Sequence, residues 1–155
     1  MLNKNIKRTI YKRHPDVDER IQSALIAIKA ILPLALYPAH KRELLSTCLW
    51  KLTEAEAYNK YGLRYQTPAA LEVPKQEKQH EHVFERKKVI EALIANPDRF
   101  EEILSNVVAC TVTKEEHRRL TKLSYLHPEL EGWKRYRAAG LSVLDLATGE
   151  KKIAV

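Results

Sequence analysis

The chain has 155 residues, with 27 Lys and Arg against 20 Asp and Glu for a formal charge of +7, and 45% of it is apolar. That length and composition describe one globular domain with enough side chains for a core, and they exclude a low-complexity or disordered chain. Its two cysteines, Cys48 and Cys110, are too few for a disulfide framework or a four-cysteine zinc site. Both lie among apolar neighbours, so a reducing cytoplasm is the expected compartment.

The first fourteen residues hold Lys4, Lys7, Arg8, Lys12, Arg13 and His14 and no acid, which predicts a basic arm (1–14) ahead of a single domain (15–155). No apolar run follows the basic start, so a secretory signal is not expected. Pro15 and Asp16 open a helix in which Ile21, Ala24, Leu25, Ile28 and Leu32 recur at helical spacing, and Pro33 ends it. Residues 24–39 are the most apolar stretch, but Lys29, Pro33 and Pro38 interrupt them. They also fall short of the about 20 residues that a membrane span requires, so no membrane partner is expected. A second helix starts near Pro38 with Leu44, Leu45, Cys48 and Leu49 on one stripe. Thr53 with Glu56 three residues on reads as a capping box, launching a short helix that stops near Gly62.

Residues 63–79 read as irregular, broken at Pro68 and Pro74. His80 to Phe84 is strand-like, and Arg86 to Ala95 is helical. Asn96 and Pro97 start a further helix that runs to about Ser105 or Asn106. Residues 107–112 are the best strand by β-branched content. Thr113 and Glu116 form a second capping box, whose helix carries His117, Leu120 and Leu123. A last helix passes through Trp133 and Tyr136, both tryptophans (Trp50 and Trp133) being read as core. A hairpin of 141–146 and 151–155 then turns at Thr148 and Gly149. Helices lead and strands follow without regular alternation, so the fold class is α+β.

Excess positive charge bears on partners more than on fold. Beyond the arm, cations cluster at Arg86, Lys87 and Lys88, at Arg118, Arg119 and Lys122, and at Lys134, Arg135 and Arg137. Such clusters predict a nucleic-acid partner held through its phosphates, with Arg86, Lys87, Arg118 and Lys122 as contacts. Arg64 joins them because Tyr58, Tyr61 and Tyr65 interleave there with Lys60, a pattern that can combine phosphate contact with base stacking. No feature of the sequence sets an oligomeric state.

The chemistry-bearing segment is His80-Glu81-His82 on a strand, then a second strand, then a helix with His117 in its first turn. With its helical insertion, this order over about 79–122 resembles the core of the HNH, or ββα-metal, nucleases. The resemblance implies an endonuclease that hydrolyses phosphodiesters, DNA more than RNA. His82 would be the general base, and Glu81 and His117 would hold one divalent ion. Mg²⁺ or Mn²⁺ suits the carboxylate, while a histidine ligand also admits Zn²⁺ or Ni²⁺.

Strand geometry adds a condition. Adjacent residues of a regular strand point to opposite faces, so Glu81 and His82 share a centre only at a strand end or bend. His80 and His82 share a face in any case, which leaves a zinc site of His80, His82 and His117 open. A helix N-terminus disfavours a cation beside His117 unless carboxylate charge, from Glu81 or Glu115, offsets it. The rival reading is a non-catalytic, basic nucleic-acid- or protein-binding regulatory module in which the histidines are structural. The chain has no Walker A loop, no dinucleotide fingerprint and no G-x-S-x-G elbow.

Overall fold

A computed structural model describes residues 11–154; the cations Lys4, Lys7 and Arg8 of the basic arm, and Val155, lie outside them. Two helices open the fold, α1 (Val17–Ile31) and α2 (Pro38–Thr53), and they pack on each other. Pro38 stands at the start of α2, where its missing N–H costs nothing. Ile28 of the first helix and Leu32 just past its end meet Leu45 and Leu49 of the second. Two later helices, α4 (Arg86–Ala95) and α5 (Phe100–Leu104), complete that core with Val89, Ile90, Leu93 and Leu104.

The strands are β1 (Tyr65–Gln66), β2 (Lys78–His82), β3 (Ala109–Thr113), β4 (Val143–Asp145) and β5 (Glu150–Ile153). They form one mixed sheet in the order β2-β3-β1-β4-β5, antiparallel except for the β1–β3 pair. The remaining helices are α3 (Pro68–Glu72), α6 (Lys114–Leu126) and α7 (Trp133–Ala138). Leu120 and Tyr136 from α6 and α7 bury against Val83, Cys110, Val112 and Val143. The class is α+β, as the order of elements predicts.

The second capping box forms in full: Thr113 accepts from the Glu116 N–H while the Glu116 carboxylate accepts from the Thr113 N–H. The first does not. Thr53 ends α2 instead of starting a helix, and residues 54–61 are turns and bends. Glu56 accepts from the Arg64 N–H at 3.2 Å and from the Tyr11 hydroxyl at 3.2 Å. Residues 63–79 are also more ordered than expected. They supply β1, α3, a 3₁₀ turn (Lys75–Glu77) and the first residues of β2. Asn96 makes no side-chain cap, and Pro97–Arg99 forms a 3₁₀ turn ahead of α5.

Candidate functional site

Strand β2 is buried on both faces, and its alternation separates the residues that the sequence places together. In register, His80 pairs with Thr111, Glu81 with Cys110 and His82 with Ala109. The two histidines point towards α2, and Glu81 points the other way, towards α6 and α7.

On the α2 face, one hydroxyl serves both rings. Thr53 Oγ1 lies 3.1 Å from His80 Nε2 and 2.9 Å from His82 Nε2. His80 Nδ1 is 2.7 Å from the Lys60 carbonyl, which can only accept, so Nδ1 carries the hydrogen and Nε2 accepts. The hydroxyl has one hydrogen, which it gives to His80 Nε2 or to the Leu49 carbonyl 3.0 Å away, and none is left for His82. His82 Nε2 therefore donates to it. Trp50 packs against both rings, at 4.3 and 5.0 Å between centroids. Burial, with His80 and Arg86 adding to it, pushes the His82 pKa down to about 3. Burial lowers that of His80 as well. Both imidazoles are thus neutral and engaged within the protein.

On the opposite face, each oxygen of the buried Glu81 carboxylate has a partner. Oε1 accepts from Arg135 Nη2 at 2.8 Å, and Oε2 from His117 Nδ1. Arg135 is only 2% exposed. Its Nη2 also donates to the His82 and Val83 carbonyls at 2.9 and 3.1 Å, and its Nη1 to Ser124 Oγ at 3.1 Å. The guanidinium thus ties α7 to the end of β2 and to α6. Gly132 makes this approach possible: its φ is +59°, and a Cβ there would lie 2.5 Å from the Phe84 ring. His117 sits in the first turn of α6 with its side chain 38% exposed. Since an ionised carboxylate only accepts, Nδ1 carries the hydrogen, and in the neutral ring the lone pair is on Nε2.

Two of the three residues expected around an ion therefore meet, Glu81 and His117, and His82 does not join them. It lies across the strand, 7% exposed. The zinc alternative separates in the same way, since His80 and His82 face α2 and His117 does not. The residues as arranged do not fit a resident divalent ion. Glu81 has no oxygen without a partner, and a buried guanidinium already neutralises it. Among the described residues no group of three His, Cys, Asp or Glu side chains is placed to hold a metal.

The candidate phosphate contacts divide similarly. Arg64 forks onto Asp145 through two bonds of 2.8 Å, closing β1 onto β4. Arg86 donates to Ser46 Oγ at 2.7 Å and lies over the Trp50 ring. Arg135 belongs to the buried Glu81 network, a correction to its place in a surface cluster. Lys87 is exposed. Arg118 and Lys122 are exposed too, and with Lys114 they recur every four residues along α6, a spacing that aligns them on one side of a helix. Among the described residues these three form no ion pair. Lys114 is three residues before His117, so the ring borders the stripe.

Thr53, Arg135 and Ser124 are the site members that sequence reasoning missed. Thr53 reads as a cap, Arg135 as one cation in a cluster, and Ser124 carries no signal. A cavity of about 580 Å³ opens between α1, the end of α2 at Thr53, α5 and the approach to β3, and is lined largely by apolar side chains such as Ile21, Leu25, Phe100 and Val108. Among the described residues no helix is long and apolar enough to cross a membrane. Comparison with family models, with curated proteins and with solved structures finds no match.

Proposed function

We propose that the protein binds the phosphodiester backbone of nucleic acid along α6 and cleaves it with His117 as the acid–base group, oriented by Glu81. The observation that carries this reading is the pairing of a buried carboxylate with a half-exposed imidazole at the edge of an unpaired cationic stripe. Lys114, Arg118 and Lys122 attract and hold phosphates. Glu81 fixes the tautomer of His117, so that Nε2 can take a proton from a nucleophile near the bound phosphate. Arg135 acts through Glu81, keeping its charge balanced in a buried position, and is a positioning residue. This differs from the arrangement the family resemblance implies, because it assigns the base to His117 instead of His82 and gives no step to a metal ion.

The test is cleavage of labelled single-stranded RNA and DNA in excess EDTA. Wild type is expected to cut, and His117→Ala to lose at least about 100-fold in rate, the usual worth of a general base. Glu81→Gln is expected to fall between them. Equal cleavage by wild type and His117→Ala would overturn the assignment. A non-catalytic binding module is the second reading, favoured by the cavity described above, which does not open on His117. Tight, salt-sensitive binding without cleavage is the result that would select it.

A further inference from the structure

We infer that the substrate at His117 is RNA, whose own 2′-hydroxyl is the nucleophile; this inference rests on the cleavage reading above. The argument starts from what the site holds. One ring nitrogen that holds a lone pair when the ring is neutral, His117 Nε2, stands beside the cationic stripe, while its other nitrogen is committed to Glu81. Glu81 is saturated by His117 and Arg135, and the two remaining imidazoles of the neighbourhood face α2. So among the described residues His117 is the one imidazole on the α6 side, Glu115 two residues before it does not share its helix face, and no donor set for a Lewis acid is assembled there.

Hydrolysis of DNA makes larger demands. Water must be captured, deprotonated and aligned opposite the leaving oxygen, and the charge developing on phosphorus oxygens is commonly met by a divalent ion. RNA removes the first demand, because its nucleophile is already tethered next to the phosphorus, an advantage of the intramolecular kind. One base then suffices to begin the reaction. His117 Nε2 takes the proton of the 2′-hydroxyl, and the 2′-oxygen forms a bond to phosphorus. The bond from phosphorus to the 5′-oxygen breaks, and that oxygen keeps the electron pair and takes a proton from water. The products are a 2′,3′-cyclic phosphate and a 5′-hydroxyl end, and His117 returns its proton to solvent. Charge on the non-bridging oxygens is met by the ammonium of Lys114 and the guanidinium of Arg118. No oxidant, reductant or metal enters the balance. Single-stranded RNA is the suitable form, because the 2′-oxygen must swing in line with the leaving oxygen and a duplex holds it out of line.

The experiment uses the full chain with three oligonucleotides of one sequence: RNA, DNA, and RNA carrying a single 2′-deoxy residue, all in EDTA. Binding is measured alongside cleavage, and product ends are identified by mass. The expected result is cutting of RNA alone, with 2′,3′-cyclic phosphate ends and none at the deoxy position. The His117→Ala rate should be lower by about 100-fold or more at unchanged RNA affinity. His117→Asn, which keeps an N–H for Glu81, provides a folded control that should be equally inactive. Cutting of DNA, or RNA products with 5′-phosphate ends, would overturn the RNA inference and leave the cleavage reading standing. Binding of all three polymers without any cutting would overturn both.

Discussion

The two faces of β2 handle buried polarity in different ways. Towards α2, His80 and His82 are buried neutral and share the Thr53 hydroxyl, so neither imidazole brings a charge into the interior. Towards α6 and α7, Glu81 is countered by a guanidinium that is itself buried, with a half-exposed imidazole closing the set. A neutral network is lost when a group gains a proton, and an ionic one when a partner is removed. The contrast teaches that residues one apart on a strand can belong to separate networks, with separate sensitivities and, on the reading proposed here, separate purposes.

The sharpest way to break the contrast is Arg135→Met, which strands the Glu81 carboxylate in the interior. Loss of one partner from a buried ion pair typically costs about 3–5 kcal/mol. Urea unfolding should show that drop, and adding Glu81→Gln should restore part of it. Acid should then act on the other face. His82 has a folded pKa of about 3 against about 6.5 unfolded, so the unfolded chain binds the extra proton between those values. Stability from this group is complete above about pH 6.5, declines as the pH falls, and is smaller by about 3 kcal/mol at pH 4. His80, lowered in the same direction, adds to the decline. Melting curves from pH 7 to 4 check this, and His82→Gln should flatten the acid limb.

Thr53→Val keeps the shape and removes the shared hydroxyl, leaving ring nitrogens unsatisfied at a cost of about 1–3 kcal/mol. Ring-nitrogen chemical shifts of both histidines should move, and those of His117 should not. The smallest effect on folding belongs to Arg118→Ala with Lys122→Ala, within about 0.5 kcal/mol of wild type. That pair should lower the salt dependence of nucleic-acid binding by about one unit of slope per cation removed. An unchanged slope would take α6 out of the interface.

Where local chemistry decides an element, the sequence is readable. The bounds of α4 and the Thr113–Glu116 box follow from neighbours within one turn. The same pattern at Thr53 misleads, because Glu56 finds partners at Tyr11 and Arg64 and Thr53 is claimed by two distant histidines. Strand β1 is invisible for a related reason: two residues form a strand only because β3 and β4 flank them. At the site, strand-then-helix order was enough to bring Glu81 to His117, and period-two alternation gave reason to doubt His82. Arg135 could not be singled out, since a buried guanidinium and an exposed one have the same letter, and only the packing of α7 over Phe84 distinguishes them.

The span between Glu81 and Arg135 has a consequence for biosynthesis. The guanidinium lies 54 residues after the carboxylate it neutralises, so a growing chain that has released β2 from the ribosome has not yet made its counterion. Until then Glu81 keeps its hydration and that side of the strand stays open to water. Closure of this half of the protein awaits the synthesis of α7, and a nascent chain truncated ahead of it should be cut readily by protease at β2.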